Sequence, residues 1–157
     1  MYNKRLSFLH ELLKDKDLIG LEIGALDKPL LVKDKLRPDV KILYGDHLST
    51  EGLKSKYKQD QSVDQSRIVE VDLISPSGEF ADALNGQTVD FIIASHVVEH
   101  VPNPIHWLQK LFEILSPGGF LFLVIPDKRF TFDNQRPLTT FGVMLQSYLL
   151  DKNIPSV

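Results

Sequence analysis

Carboxylates stand at the ends of three consecutive predicted strands in this 157-residue sequence. Glu22 lies near the end of the first, Asp46 ends VKILYGD, and Asp72 ends RIVEVD. Ligands of an open parallel sheet bind beyond the carboxyl ends of its strands, so we expect the three acids to converge on one site. Asp46 follows Glu22 at about the spacing at which a second-strand acid accepts hydrogen bonds from both ribose hydroxyls. The pattern indicates a nucleoside site.

Each of these residues also has a purely structural interpretation. Asp46 can cap the next helix, and Asp72 can be a turn acid before ISPSG rather than a contact of an adenine amino group. Glu22 can be a salt-bridged strand residue, and Gly24 an ordinary tight turn. It is the ordered series of acids at neighbouring strand ends that favours a shared ligand.

The loop after the first strand has one glycine, Gly24, followed by ALDKP. A dinucleotide pyrophosphate needs several backbone N–H groups at close range, hence several glycines, and Leu26 would obstruct that approach. A ligand without phosphate but with a cationic amino group suits Glu22 and the strand-end carbonyls. S-adenosylmethionine, with its adenine, ribose, sulfonium and amino-acid tail, meets these requirements.

Three histidines fall near the end of the fourth predicted strand and in the helix after it. Methyl transfer to a hydroxyl benefits from a base with a near-neutral pKa, which makes His96 and His100 the candidate catalytic residues. His100 can instead be a hydrogen-bonded residue at the helix entry, and His106 a surface residue. No metal site is expected, because the adjacent Glu99 and His100 would point to different sides of a helix.

The segment DKRFTFDNQRP follows the last predicted strand and borders the presumed substrate side. It combines charged residues with Phe130 and Phe132, a mixture that suits a polar acceptor such as a sugar, through hydrogen bonds and ring stacking. The alternative is a solvated loop whose phenylalanines, together with Phe141, pack onto the edge of the sheet.

Strand and helix patterns alternate along the chain, which predicts an α/β fold with a doubly wound, Rossmann-like parallel sheet of about five strands. The predicted strands are 19–24, 40–46, 67–72, 88–95 and the buried apolar run 120–126. The predicted helices are 4–16, 29–35, one capped by Ser49 or Thr50, one begun by Asn103 and Pro104 and stopped at SPGG, and 141–150. The last strand would leave an open edge, to be covered by the last helix or by a second copy in a homodimer.

Composition narrows the class of protein. Hydrophobic residues make up 43% and charged residues 25%, as in an ordinary globular protein, and we expect a single domain over residues 1–157 with its core at 18–127. A net charge of −3 gives no electrostatic footprint for nucleic acid or an anionic membrane. The absence of cysteine excludes disulfides and thiolate sites. With no signal peptide or membrane span in the sequence, the expected location is cytoplasmic.

The segments LEIGALDKPL, YGDHLST, VDL and DFIIASHVVEHVPNPIHWLQKLFEILSPGGFLFLVIPD together resemble class I S-adenosylmethionine-dependent methyltransferases over about residues 18–127. The most specific portions are EHVPNP and LSPGG. The variants LEIGALDKPL and PDKRFTFDNQRP resemble a bacterial subgroup associated with glycan modification. By this resemblance Glu22, Gly24 and Ala25 line the methionine tail, Asp46 takes the ribose, Asp72 and Leu73 touch the adenine, and Ser95 and His96 close the pocket. His47 is also counted among the expected cofactor-binding residues.

Two features depart from that family. Its usual first loop has two or three glycines, whereas this one has only Gly24, and its fold continues to a sixth and a seventh strand that this sequence lacks. The chain is therefore expected to be a version truncated at the C-terminus.

The expected function is methyl transfer from S-adenosylmethionine to a small polar acceptor, with a saccharide hydroxyl as one acceptor class. The alternative is a catalytically degenerate module that binds a nucleoside or a partner protein. A nicotinamide dehydrogenase is disfavoured because G-x-G-x-x-G is missing.

Overall fold

The computed structural model describes residues 4–14, 17–131 and 134–152. In these residues, five strands form one parallel sheet: β1 (Leu18–Ile23), β2 (Val40–Asp46), β3 (Leu73–Ile74), β4 (Val89–Ser95) and β5 (Leu115–Val124). The strand order is β3–β2–β1–β4–β5. The chain runs outward from β1 to β3 and then returns to the other side of β1 for β4 and β5. This confirms the predicted doubly wound, Rossmann-like sheet.

Four α-helices flank the described sheet: α1 (Lys4–Leu12), α2 (Thr50–Lys56), α3 (Pro104–Glu113) and α4 (Phe141–Leu149). The predicted starts of α2 and α3 are confirmed, because the Ser49 side chain accepts a hydrogen bond from Gly52 N and the Asn103 side chain accepts one from His106 N. Helix α1 ends at Leu12, earlier than predicted, and residues 15 and 16 of that prediction lie outside the described part. None of the helices described is long and apolar enough to cross a membrane.

The core lies on both faces of the central strands. Phe91 and Ile93 of β4 pack with Leu9 of α1 on one face. On the other face, Ile92 packs with Trp107 of α3, in a cluster that also contains Leu111. Successive residues of a strand point to opposite faces, so the continuous apolar run of β4 serves both layers.

The prediction of a helix over residues 29–35 is wrong. Only a single 3-10 turn, Lys33–Lys35, forms there. The carboxylate of Glu22, on the neighbouring β1, accepts hydrogen bonds from Leu30 N at 2.6 Å and Leu31 N at 3.1 Å. These contacts tie Leu30 and Leu31 to β1, and the segment follows the sheet as a loop.

The prediction of a third strand over residues 67–72 is also wrong, because β3 begins only at Leu73. Asp72 therefore precedes a strand instead of ending one. Its carboxylate accepts a hydrogen bond from Tyr44 N at 2.7 Å, and the Thr50 hydroxyl accepts one from Val71 N at 2.8 Å. Side-chain oxygens thus take positions beside β2 that a longer strand would fill with backbone carbonyls.

The SPGG segment lies inside β5 rather than in a turn after α3, which ends at Glu113. A register shift between β4 and β5 accommodates it, and Gly118 adopts a φ of +82°. The expected burial of the following apolar run on both faces is wrong, since residues 120–123 are only half-buried. Among the described strands, β5 pairs with β4 alone and leaves its other edge open. The homodimer that would cover this edge stays a prediction.

Gly20 of β1 is a packing requirement of the sheet. A Cβ atom at this position would lie 2.1 Å from the ring of Phe91 on β4. We expect Gly20→Ala to lower the free energy of unfolding by about 1–3 kcal/mol, measured by urea denaturation, because the ring has to move within a packed core. The control is Phe91→Leu alone and combined with Gly20→Ala. The double variant should lose less than the sum of the single losses, and simple additivity would contradict this account.

Glu22 generates a second prediction, on pH. Burial raises the pKa of its carboxyl group from 4.5 to about 7, although the hydrogen bonds from Leu30 and Leu31 lower it. The folded state therefore binds more protons than the unfolded state between those pH values, and stability falls as the pH rises from about 4.5 to about 7. The total fall attributable to this shift is roughly 3 kcal/mol.

The measurement compares Glu22→Gln with the wild type by chemical denaturation at several pH values. The glutamine does not ionise, so the difference in unfolding free energy between the two proteins should change across pH 5–7 and level off above it. Glu70→Gln, at an exposed position, is the control and should run parallel to the wild type. If the unfolding free energies of Glu22→Gln and the wild type changed in parallel with pH, the raised pKa assigned to Glu22 would be refuted.

Candidate active site

A cavity of about 220 Å³ lies at the carboxyl ends of β1, β2 and β4. The strand order reverses between β1 and β4, which is the position where open α/β sheets bind ligands. Its walls come from the strand ends, the loop after β3, the turn after β4 and one side chain of α3. The lining residues are Ile23, Gly24, Asp46, His47, Pro76, Ser77, Gly78, Phe80, Val97, His100, Val101, Pro102 and Trp107.

The predicted site residues divide into two groups around this cavity. Gly24, Asp46, His47 and His100 line it. Six others do not: Glu22, Ala25, Asp72, Leu73, Ser95 and His96. Asp46 is thus the one member of the predicted acid series that reaches the cavity.

Asp46 has one committed and one open carboxylate oxygen. Its Oδ1 accepts a hydrogen bond from His47 N at 2.7 Å and lies 2.6 Å from His47 Nδ1. Its Oδ2 forms no hydrogen bond with any residue that the structure describes. The cap of α2 is Ser49, so Asp46 is not the helix cap that the sequence also allowed. A carboxylate oxygen without a partner, on a buried residue beside a cavity, is an acceptor for a hydroxyl donor.

Gly24 turns the chain at the mouth of the cavity. Its φ is +68°, and a Cβ atom there would lie 3.0 Å from a methyl group of Val97. Leu26 also adopts a left-handed conformation, with φ +47°, and its carbonyl accepts a hydrogen bond from Val69 N at 2.9 Å. This loop therefore turns without a second glycine, since a long-range hydrogen bond stabilises the leucine conformation.

Glu22 and Asp72 are engaged elsewhere. Glu22 is buried beneath the loop that follows β1, bound to two backbone amides. Asp72 forms an ion pair with Lys33, with 2.7 Å between Lys33 Nζ and Oδ1, in addition to its bond from Tyr44 N. Neither carboxylate lines the cavity, and both bind backbone amides of residues outside its lining.

The chain after β4 brings one of the two candidate bases to the cavity. His96 adopts a φ of +56°, donates its backbone N–H to Val124 O, and has an exposed side chain with Nδ1 3.6 Å from Glu99 Oε1. The 3-10 turn Val98–His100 then places His100 in the lining. His106, predicted as a surface residue, is half-buried with Nε2 3.0 Å from Glu79 Oε1.

The loop after β3 is the part of the site that the sequence interpretation missed. Ser77 and Gly78 line the cavity, and Ser75 ties the loop to β2 by donating its N–H to Asp46 O at 2.8 Å. The signal was present as SPSG, a turn sequence directly after the third strand. Trp107 is both a core residue and part of the cavity wall.

Two further observations bear on the choice of site. A second cavity, of about 260 Å³, lies near Leu12, Asp90 and Phe120, away from the carboxyl ends of the strands. Asp90 accepts a hydrogen bond from Ile19 N at 2.8 Å through Oδ2, and this cavity is not at the switch point where open α/β sheets bind ligands. Within the described residues, no three acids or histidines are grouped so as to hold a metal ion. The cavity beside Asp46 is therefore the candidate site.

Comparison with known proteins identifies the family. Residues 8–148 match the family described as "Methyltransferase domain". A stretch of 44 residues is 41% identical to the mitochondrial ubiquinone biosynthesis O-methyltransferase of Rattus norvegicus, and covers 28% of this chain and 13% of that enzyme.

Solved methyltransferases share the fold. Coclaurine N-methyltransferase bound to N-methylheliamine and S-adenosylhomocysteine has a TM-score of 0.51 at 23% identity, over 75% of this chain and 34% of that chain. The CurJ carbon methyltransferase has a TM-score of 0.50 at 20% identity, over 73% and 31%. This chain thus spans about a third of those two structures. Because the family match covers most of its length, the chain belongs to the class I S-adenosylmethionine-dependent methyltransferases.

Proposed function

We propose that this protein binds S-adenosylmethionine in the cavity beside Asp46 and transfers its methyl group to a small polar acceptor. The cofactor supplies, when bound, an electrophilic methyl group on a positively charged sulfur. The observation that carries the proposal is the open Oδ2 of Asp46 at the switch point of the sheet. A carboxylate held by one oxygen keeps the other as an acceptor for ribose hydroxyls.

The residues proposed for cofactor binding follow from their positions. Gly24, Asp46 and His47 line the cavity and are assigned to direct contact. Contacts from Ala25, Leu73 and Ser95 stay predictions. Glu22 and Asp72 are proposed to support the site through the backbone segments that they hold, near residues 30–31 and 44.

His100 is the residue proposed to accept the proton of the acceptor hydroxyl. It lines the cavity, and a neutral imidazole is a base suited to physiological pH. Alignment of the two reactants would supply most of the rate enhancement, and the base a smaller part. His96, also predicted as a base, does not line the cavity and is proposed only as a rim residue near the acceptor.

The acceptor class is proposed from the loop after β5. Phe130 is 85% exposed, and the guanidinium of Arg129 lies 5.7 Å from its ring centroid. Arg129 Nε also donates to Asp127 at 3.0 Å, and this contact lowers the pKa of Asp127. An exposed ring beside charged groups suits a saccharide, although Phe132 and Asp133 of the predicted segment lie outside the described residues. The relatives above are named as O-, N- and carbon methyltransferases, so family membership leaves the acceptor atom open.

Calorimetric titration with S-adenosylhomocysteine tests the binding proposal. We expect Asp46→Ala to weaken binding at least tenfold, because a charge-assisted hydrogen bond contributes roughly 1.5–3 kcal/mol. Asp82→Ala, at an exposed position outside the cavity, is the control and should bind as the wild type does. Equal affinities for the wild type and Asp46→Ala would refute the assignment.

Transfer itself is tested with S-adenosylmethionine labelled in the methyl group and a panel of free and nucleotide-linked sugars. We expect label in a sugar methyl ether. The variant His100→Asn should lose at least tenfold in turnover, within the usual contribution of a general base, while its affinity for S-adenosylhomocysteine stays within about threefold. Cofactor binding without transfer to any acceptor would instead favour the degenerate binding module.

A further inference from the structure

The open oxygen of Asp46 depends on how the carboxylate is held. Both contacts from His47, the backbone N–H at 2.7 Å and the ring Nδ1 at 2.6 Å, go to the same oxygen, Oδ1. While both contacts hold, the plane of the carboxylate group is fixed. Oδ2 therefore keeps one direction.

A lysine outside the cavity lining fixes the imidazole in turn. Lys56 Nζ, in the last turn of α2, lies 3.1 Å from His47 Nε2. A lysine ammonium can only donate, so Nε2 must be the acceptor, and the ring proton of the neutral imidazole must lie on Nδ1. That is the nitrogen that lies 2.6 Å from Asp46 Oδ1, so the protonated nitrogen of the ring is the one beside the carboxylate.

We propose that Lys56 and His47 are positioning residues that orient Asp46 for the ribose, an inference that rests on the proposed function. Lys56 selects the His47 tautomer that donates to Oδ1, and His47 thereby holds Oδ2 available for a hydroxyl. The side chain of a tautomer protonated on Nε2 would present an acceptor to the carboxylate and repel it. The contacts among Lys56, His47 and Asp46 join α2 to the end of β2 across the loop between them.

The helix offers a matched control for Lys56. Lys54 lies on the same helix, but its Nζ pairs with Glu51 Oε1 at 3.2 Å. We expect Lys56→Met to weaken binding of S-adenosylhomocysteine about three- to tenfold, the usual value of one hydrogen bond, and Lys54→Met to leave it unchanged. Equal affinities for the two methionine variants would overturn the proposal.

Two variants of His47 separate positioning from a merely structural role. The asparagine amide of His47→Asn can keep a donor toward Oδ1 without needing a lysine, whereas His47→Phe keeps none. We expect His47→Asn to bind more tightly than His47→Phe, and Lys56→Met to have no further effect in the His47→Asn background. His47→Phe should lose about tenfold or more, the value of a charge-assisted hydrogen bond. A full Lys56→Met loss in the His47→Asn background would contradict the relay.

The ligand itself supplies the last readout. We expect the loss of affinity caused by Lys56→Met to vanish with an S-adenosylhomocysteine analogue that lacks both ribose hydroxyls. This ligand has no hydroxyl group to donate to Asp46, so the orientation of the carboxylate no longer affects binding. An equal loss with both ligands would overturn the proposal. If Asp46→Ala binds S-adenosylhomocysteine normally, the proposed function fails as well. If Asp46→Ala weakens binding and Lys56→Met does not, only the positioning inference fails.

Discussion

The candidate site depends on the hydrogen bonds that the buried carboxylate of Glu22 accepts. It lies under the loop that follows β1 and accepts hydrogen bonds from the amides of Leu30 and Leu31. Asp27, also buried, extends the same arrangement by accepting a bond from Asp64 N at 3.0 Å. The loop is thus fixed by acids beneath and beside it, and this gives Gly24 a defined place at the cavity without a series of glycines.

The acids of the site differ in what they bind, and that difference assigns their roles. Glu22 and Asp72 have their oxygens committed to backbone amides or to Lys33. Asp46 alone among these three keeps an oxygen without a partner in the described part of the chain. A carboxylate can stabilise a loop or bind a ligand, but an oxygen that already accepts hydrogen bonds from the protein has less capacity to accept one from a ligand. The protein separates the two tasks between residues that look alike in the sequence.

Local patterns were sufficient to predict much of the fold. The bounds of β2 were predicted correctly from the segment VKILYGD, and the starts of α2 and α3 from their caps. The errors have a common origin in contacts between distant residues. Pro29 is a good first residue for a helix, but Glu22 ties the segment after it to β1. Asp72 accepts a hydrogen bond from Tyr44 N at a position where a longer strand would pair. No local sequence pattern contains those partners.

Asp46 and His100 were predictable because strand ends place them, whereas the unused oxygen of Asp46 is visible only in three dimensions.

The strand order also shapes how the chain folds during synthesis. One edge of β1 pairs with β2, which follows closely, but the other edge pairs with β4, which begins only at Val89. A chain emerging from the ribosome can therefore form the β1–β2 pair early, while the second edge of β1 has no native neighbour until β4 appears. Parallel pairings of this kind close large loops and form slowly. During that interval the unpaired edge, with Leu21 and Ile23 beside it, is open to pairing with other nascent chains, which is the stage at which a chaperone would protect the protein from aggregation.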